Sequence, residues 1–174
     1  MYLISIYFDN HSTKEINKYI LKCALSSQNN FMVDHHVPAH MTLLAFDTQN
    51  EDDAINALKE CLKQIKSDEI YFSSLGIFLP HVLYITPVLN QYLFQTQSHL
   101  YDSFKNIKSI ELSHQYKPYS WIPHTTIAKT LSQDQINKAF STMQSLFHPF
   151  SAKVVRIALS KTNPYKDIID FQLF

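Results

Sequence analysis

Two rhythms of apolar residues run along the chain and separate its strands from its helices. Residues 1–8, MYLISIYF, are dense in β-branched and aromatic side chains and stop at Asp9-Asn10, which predicts an opening strand. Ser12 and Glu15 then stand at capping-box spacing, and Ile16, Tyr19, Ile20 and Cys23 recur at i, i+3, i+4 and i+7, one face of a helix. Residues 26–38 are polar and irregular and read as a long loop, after which residues 39–46 regain strand character. A second helix is predicted from near Asn50. Its Glu51, Asp52 and Asp53 suit the positive end of the helix dipole, and it buries Ala54, Leu58, Cys61, Leu62 and Ile65.

Strands over residues 70–78 and 82–88, joined at Leu79-Pro80-His81, predict a hairpin. Residues 91–107 carry Leu93, Leu100 and Phe104 on one helical face, whereas residues 108–119 are poorly patterned and predict a loop with room for one short strand. Residues 121–130 form a further strand. Ser132 and Gln135 make a second capping box ahead of Ile136, Phe140, Met143 and Phe147, and residues 152–161 and 168–174 close the chain as strands. Too many strands follow one another directly for a doubly wound parallel sheet, so the pattern predicts an α+β fold of antiparallel sheets in a single domain, residues 1–174.

Two of these strands share a pattern. AHMTLLAF (39–46) and IPHTTIAKT (122–130) both read His, any residue, Thr, aliphatic, each shortly after a proline. In a strand, residues i and i+2 lie on one face about 6 to 7 Å apart, so His40 with Thr42 and His124 with Thr126 can each grip one side of a phosphate. Met41 and Leu43, and likewise Thr125 and Ile127, then face the other way, toward covering helices. If alternation holds, Lys129 lies on the face opposite His124. A third copy, His11-Ser12-Thr13, stands at a predicted helix start without strand context and is assigned to capping.

Composition narrows the chemistry. The 15 basic and 15 acidic residues cancel, so nothing pulls the whole molecule onto polyanions and any phosphate must be held locally. Gly76 is the only glycine, which removes the Gly-rich phosphate loops and the dinucleotide fingerprint. Cys23 and Cys61 occupy apolar helix positions outside any C-x-x-C pair and read as reduced core thiols of a cytoplasmic protein. Asp9 interrupts the first apolar run before a signal core is complete, and no apolar stretch reaches the roughly 20 residues of a membrane helix. His35, His36 and His40 have no cysteine or carboxylate cluster to complete a ligand set, so neither a metal nor another cofactor is expected.

The two complete H-x-T motifs and the closing pair VVRIALSK and IIDFQLF resemble the two-histidine (2H) phosphoesterase superfamily, in its 2'-5' RNA ligase and cyclic phosphodiesterase (LigT-like) branch, over the whole chain. The resemblance implies a two-lobed, pseudo-twofold fold with antiparallel sheets lining a central cleft and helices outside. It also implies a metal-independent phosphodiesterase acting on 2',3'-cyclic phosphate or 2'-5' linkages. His40 and His124 would be catalytic and Thr42 and Thr126 would hold the phosphate. By the same resemblance His124 is the base and His40 the acid, an order the residues themselves leave open. Tyr119 and Trp121, leading into the second motif, are candidates for stacking on a nucleobase. The partners implied are RNA ends or a small nucleotide with a phosphodiester, with no membrane and no obligatory protein partner. The alternative is a non-catalytic RNA- or nucleotide-phosphate-binding module on the same fold.

Overall fold

The computed structural model describes residues 1–162 and 164–174. Eight strands and five α-helices follow in the order β1 (Tyr2–Phe8), α1 (Asn10–Ser27), α2 (Phe31–Asp34), β2 (Met41–Thr48), α3 (Glu51–Cys61), β3 (Asp68–Phe78), β4 (Val82–Pro87), α4 (Gln91–Phe104), β5 (Ile110–Leu112), β6 (Thr125–Ala128), α5 (Gln133–Leu146), β7 (Phe150–Lys161) and β8 (Lys166–Gln172). Every pairing is antiparallel.

The sheet is continuous, in the order β5-β2-β1-β7-β3-β4-β6, because β7 is long enough to serve two sets of neighbours. One edge of β7 pairs with β1. Along the other edge its first residues, from Phe150 to Val154, pair with β3, and the remainder, from Arg156 on, pairs with β8. Past Phe72 strand β3 leaves β7 and pairs only with β4, so β3-β4-β6 forms one arm and β5-β2-β1 the other. Helices α1 and α5 pack together against β6 and β4, and α3 and α4 pack together toward β2. One apolar core runs beneath both arms. On β1 it takes Tyr2, Ile4, Ile6 and Phe8, which leaves Leu3, Ser5 and Tyr7 on the opposite face.

The predicted elements are present with shifted ends: α3 stops at Cys61, before Leu62 and Ile65, α4 stops at Phe104, before Ile107, and the shifts at α1 and β6 have local causes. Helix α1 starts at Asn10 rather than at a Ser12 cap, because the Asp9 carboxylate accepts the amides of His11 and Ser12. It continues through Ser26 and Ser27, read from sequence as loop, and stops where Gln28 turns left-handed at φ 56°. The rest of that loop contains the short α2. Ser132 and Gln135 make their capping box. The strand expected over 121–130 shrinks to Thr125–Ala128: Pro123 has no amide to donate, the Trp121 amide bonds back to Lys117, and Thr130 at φ 59° ends the extended run. Cys23 and Cys61 are buried and unpaired, and burial pushes the Cys23 thiol up to about 12. Among the described residues no helix is long and apolar enough to cross a membrane.

Candidate active site

The two H-x-T motifs occupy matching places. His40 is the residue before β2 and His124 the residue before β6. Nδ1 of His40 lies 2.7 Å from the Pro38 carbonyl oxygen, and Nδ1 of His124 lies 2.8 Å from that of Ile122, so each ring is tied to the carbonyl two residues upstream. A carbonyl can only accept, which puts the proton of each neutral ring on Nδ1 and leaves Nε2 as the working nitrogen. Neither Nε2 has a protein partner among the described residues, and neither is sealed from solvent.

Both strands are also interrupted at the same motif position. Between Ser5↔Thr42 and Ile4↔Leu44, Leu43 is an extra residue on β2; between Tyr84↔Thr126 and Leu83↔Ala128, Ile127 is an extra residue on β6. A β-bulge inserts one residue and reverses the alternation beyond it. The aliphatic residue of each motif is that extra residue, fully buried, as are Met41 and Thr125. Simple alternation from His124 therefore fails beyond Ile127, and Lys129, the residue after β6, acts by its charge on His40 and holds its Nζ over the Phe31 ring.

The two rings are held below the ordinary histidine range, mainly because desolvation disfavours the imidazolium. The upstream carbonyls act the other way. For His40, the charges of His124 and Lys129 lower it further while Asp167 raises it, so these groups stand within electrostatic reach of one another. His124 sits edge-on to Phe78, with ring centroids 4.8 Å apart, and near Tyr84 at 5.3 Å. Tyr84 lies across Gly76, its cross-strand partner, and a Cβ on Gly76 would meet the Tyr84 ring at 2.3 Å, so any side chain here would have to displace that ring from beside His124.

His40 instead faces a polar network that sequence reading missed. The rings of Tyr7 and Tyr165 lie 6.1 and 5.7 Å from it, and their hydroxyls are hydrogen-bonded to each other. Asp167 accepts from Ser160 at 2.6 Å and from Arg156 at 2.7 Å, and the Arg156 guanidinium lies 3.7 Å over the Tyr7 ring. The Arg156 guanidinium and these hydroxyls keep the Asp167 carboxyl below the usual carboxylate range despite its burial. One sequence signal existed: Tyr7 and Ser160 alternate onto the non-core face of strands already assigned.

The threonines differ in setting. Thr42 is buried, its hydroxyl 3.3 Å from that of Ser5, whereas Thr126 is half-buried with no side-chain hydrogen bond among the described residues. Trp121 donates its indole N–H to the Thr42 carbonyl at 3.1 Å and so ties the approach to the second motif onto the strand of the first. A cavity of about 570 Å³ opens beside His124, lined by Phe78, Tyr116, Ser120, Trp121 and Ile122 among others. Trp121 borders it but is only 8% exposed; Tyr119 is 92% exposed, outside that lining, with its ring 5.2 Å from Phe94. His11 is exposed in the first turn of α1. His35 stacks on Phe31, His36 is exposed with a left-handed backbone at φ 49°, and no group of three or more metal-ligating side chains assembles among the described residues.

The fold matches solved structures along nearly its full length. Escherichia coli LigT complexed with 3'-AMP superposes with a TM-score of 0.63 at 14% identity, covering 99% of this chain and 97% of that one. TT0787 of Thermus thermophilus gives 0.67 at 14% identity, and a structure described only as a phosphoesterase gives 0.59 at 16%, both with 99% and 97% coverage. No curated protein matches the sequence. The family model described as the 2'-5' RNA ligase superfamily matches residues 14–165, a span that takes in both H-x-T motifs and Tyr165, and the chain belongs to that superfamily.

Proposed function

We propose that the chain is a metal-independent phosphodiesterase for RNA or nucleotide esters, with 2',3'-cyclic phosphate ends or 2'-5' linkages as substrate. The single domain carries the reaction between its two arms. The observation behind this reading is the matched presentation of His40 and His124, each anchored through Nδ1 with Nε2 open. Cleavage by water needs a base for the nucleophile's proton and an acid for the departing ribose oxygen, on opposite sides of phosphorus. In this reading Nε2 of His124 takes the proton from water as its oxygen bonds to phosphorus. Nε2 of His40, protonated, gives its proton to the leaving ribose oxygen as the P–O bond breaks. The products are a phosphate monoester and a free hydroxyl. Thr126 and Thr42 donate hydrogen bonds to the non-bridging oxygens, where charge develops. The cavity beside His124 has the aromatic lining that suits a nucleobase, with Trp121 on its wall. A bound 3'-AMP in the LigT crystal is in keeping with a nucleotide phosphate as ligand.

The test is a screen in EDTA of nucleoside 2',3'-cyclic phosphates, cyclic-phosphate-ended RNA, 2'-5' dinucleotides and ADP-ribose cyclic phosphate, with the monoester position read from the product. Turnover should persist under chelation. His40→Ala and His124→Ala should each lower it about 10²- to 10⁴-fold with the fold intact, while His11→Ala leaves it near wild type. Binding of these esters without turnover would establish the binding-module alternative, and dependence on an added divalent ion would overturn the metal-free mechanism.

A further inference from the structure

We propose that the cleft continues past the paired histidines into a second anion subsite built on Lys129, which takes the next phosphate of a single-stranded RNA, so that the substrate is an oligonucleotide end. This rests on the phosphodiesterase reading and specifies its substrate class. The bulge at Ile127 breaks the alternation that would turn Lys129 away from His124 and Thr126. Its charge is felt at His40, as is that of His124, so both lie within electrostatic reach of that ring.

Lys129 forms no ion pair among the described residues; nine other lysines are unpaired too, but all nine are exposed, whereas Lys129 is half-buried. Its Nζ instead sits 4.9 Å from the centroid of the Phe31 ring, which is stacked on its other side by His35 at 4.1 Å. A cation–π contact positions an ammonium without neutralising it. A half-buried cation whose charge reaches His40 raises the positive potential of the site, and an incoming anion relieves it. Lys129 also borders a second hollow of about 610 Å³, formed with Phe31, His81, Val82 and Leu131 at the far end of β6 from the cavity beside His124. Lys129 follows His124 by five positions, at most about 16 Å of chain. That separation accommodates a chain longer than one nucleotide, with its base in one hollow, its scissile phosphate between the histidines and its neighbouring phosphate at Lys129.

The experiment compares kcat/KM for a mononucleoside 2',3'-cyclic phosphate with that for a trinucleotide ending in the same cyclic phosphate, in wild type, Lys129→Gln and Lys129→Arg. Trinucleotide binding is followed in parallel by fluorescence anisotropy across a salt series. The wild type should prefer the trinucleotide about tenfold, Lys129→Gln should bring that ratio close to one, and Lys129→Arg should retain it. The slope of log affinity against log salt should become shallower by about 0.7 in Lys129→Gln, the value of one phosphate contact on a single strand. A wild-type ratio near one, or an equal ratio in wild type and Lys129→Gln, overturns the subsite. If no ester is turned over, the phosphodiesterase reading fails by itself, and the change in salt slope still decides whether Lys129 holds a phosphate.

Discussion

His40 and His124 share an anchor but not a neighbourhood. One faces the carboxylate of Asp167 through a screen of tyrosines; the other sits against Phe78 and Tyr84. Because both folded-state values are lowered, each ring is neutral in the free protein at pH 7, and the stability that goes with the neutral rings is held above the unfolded value near 6.5. It is lost as pH falls below that value through the lower folded ones. The profile of kcat/KM, which reports the free enzyme, should be a bell with its maximum below about pH 6.5, while that of kcat should lie at higher pH because a bound phosphate anion favours the imidazolium. Asp167→Asn removes a charge that raises His40, so the alkaline limb of kcat/KM should move to lower pH. An unmoved limb would remove Asp167 from the bias on His40. The motif residues were legible because two identical spacings stand out in any sequence. Tyr7, Arg156, Tyr165 and Asp167 were not, since they come from three separate strands and a turn that meet only through the order of the sheet.

At the scale of the element, apolar periodicity located every long helix and strand but not where alternation breaks. A bulge leaves no mark in a run such as MTLLAF or TTIAKT, because the extra residue is as apolar as its neighbours and is buried like them. That is why alternation alone could not place Lys129. Helix starts were legible where the cap was a serine with a partner three residues on. At α1 the same spacing misled, because Asp9, a stronger acceptor one turn earlier, took the amides first. Ser132→Ala breaks the capping box that starts α5, a helix packed against α1 and β4. It should cost about 1 kcal/mol, seen as a lower denaturant midpoint at unchanged slope. An unchanged midpoint would mean that packing alone sets the start of α5.

For the whole molecule, the sequence implied the family and its α+β class, while the role of β7 as the strand common to both arms depends on long-range pairing that no local pattern carries. Where β1, β3 and β7 meet, Phe72 packs against Phe8 and Phe150, with ring centroids 5.5 and 5.1 Å away. It is fully buried. Phe72→Ala should therefore cost about 3–5 kcal/mol, measured by chemical denaturation, and a loss below about 1 kcal/mol would show that the junction is not what holds the arms together. Trp121 has a different consequence. It is the chain's single tryptophan, it borders the cavity beside His124, and its indole N–H is bonded to the backbone of the opposite arm. All indole emission from this protein thus originates at one point between the two motifs, so the unmodified chain carries its own optical probe of whether that cavity is filled.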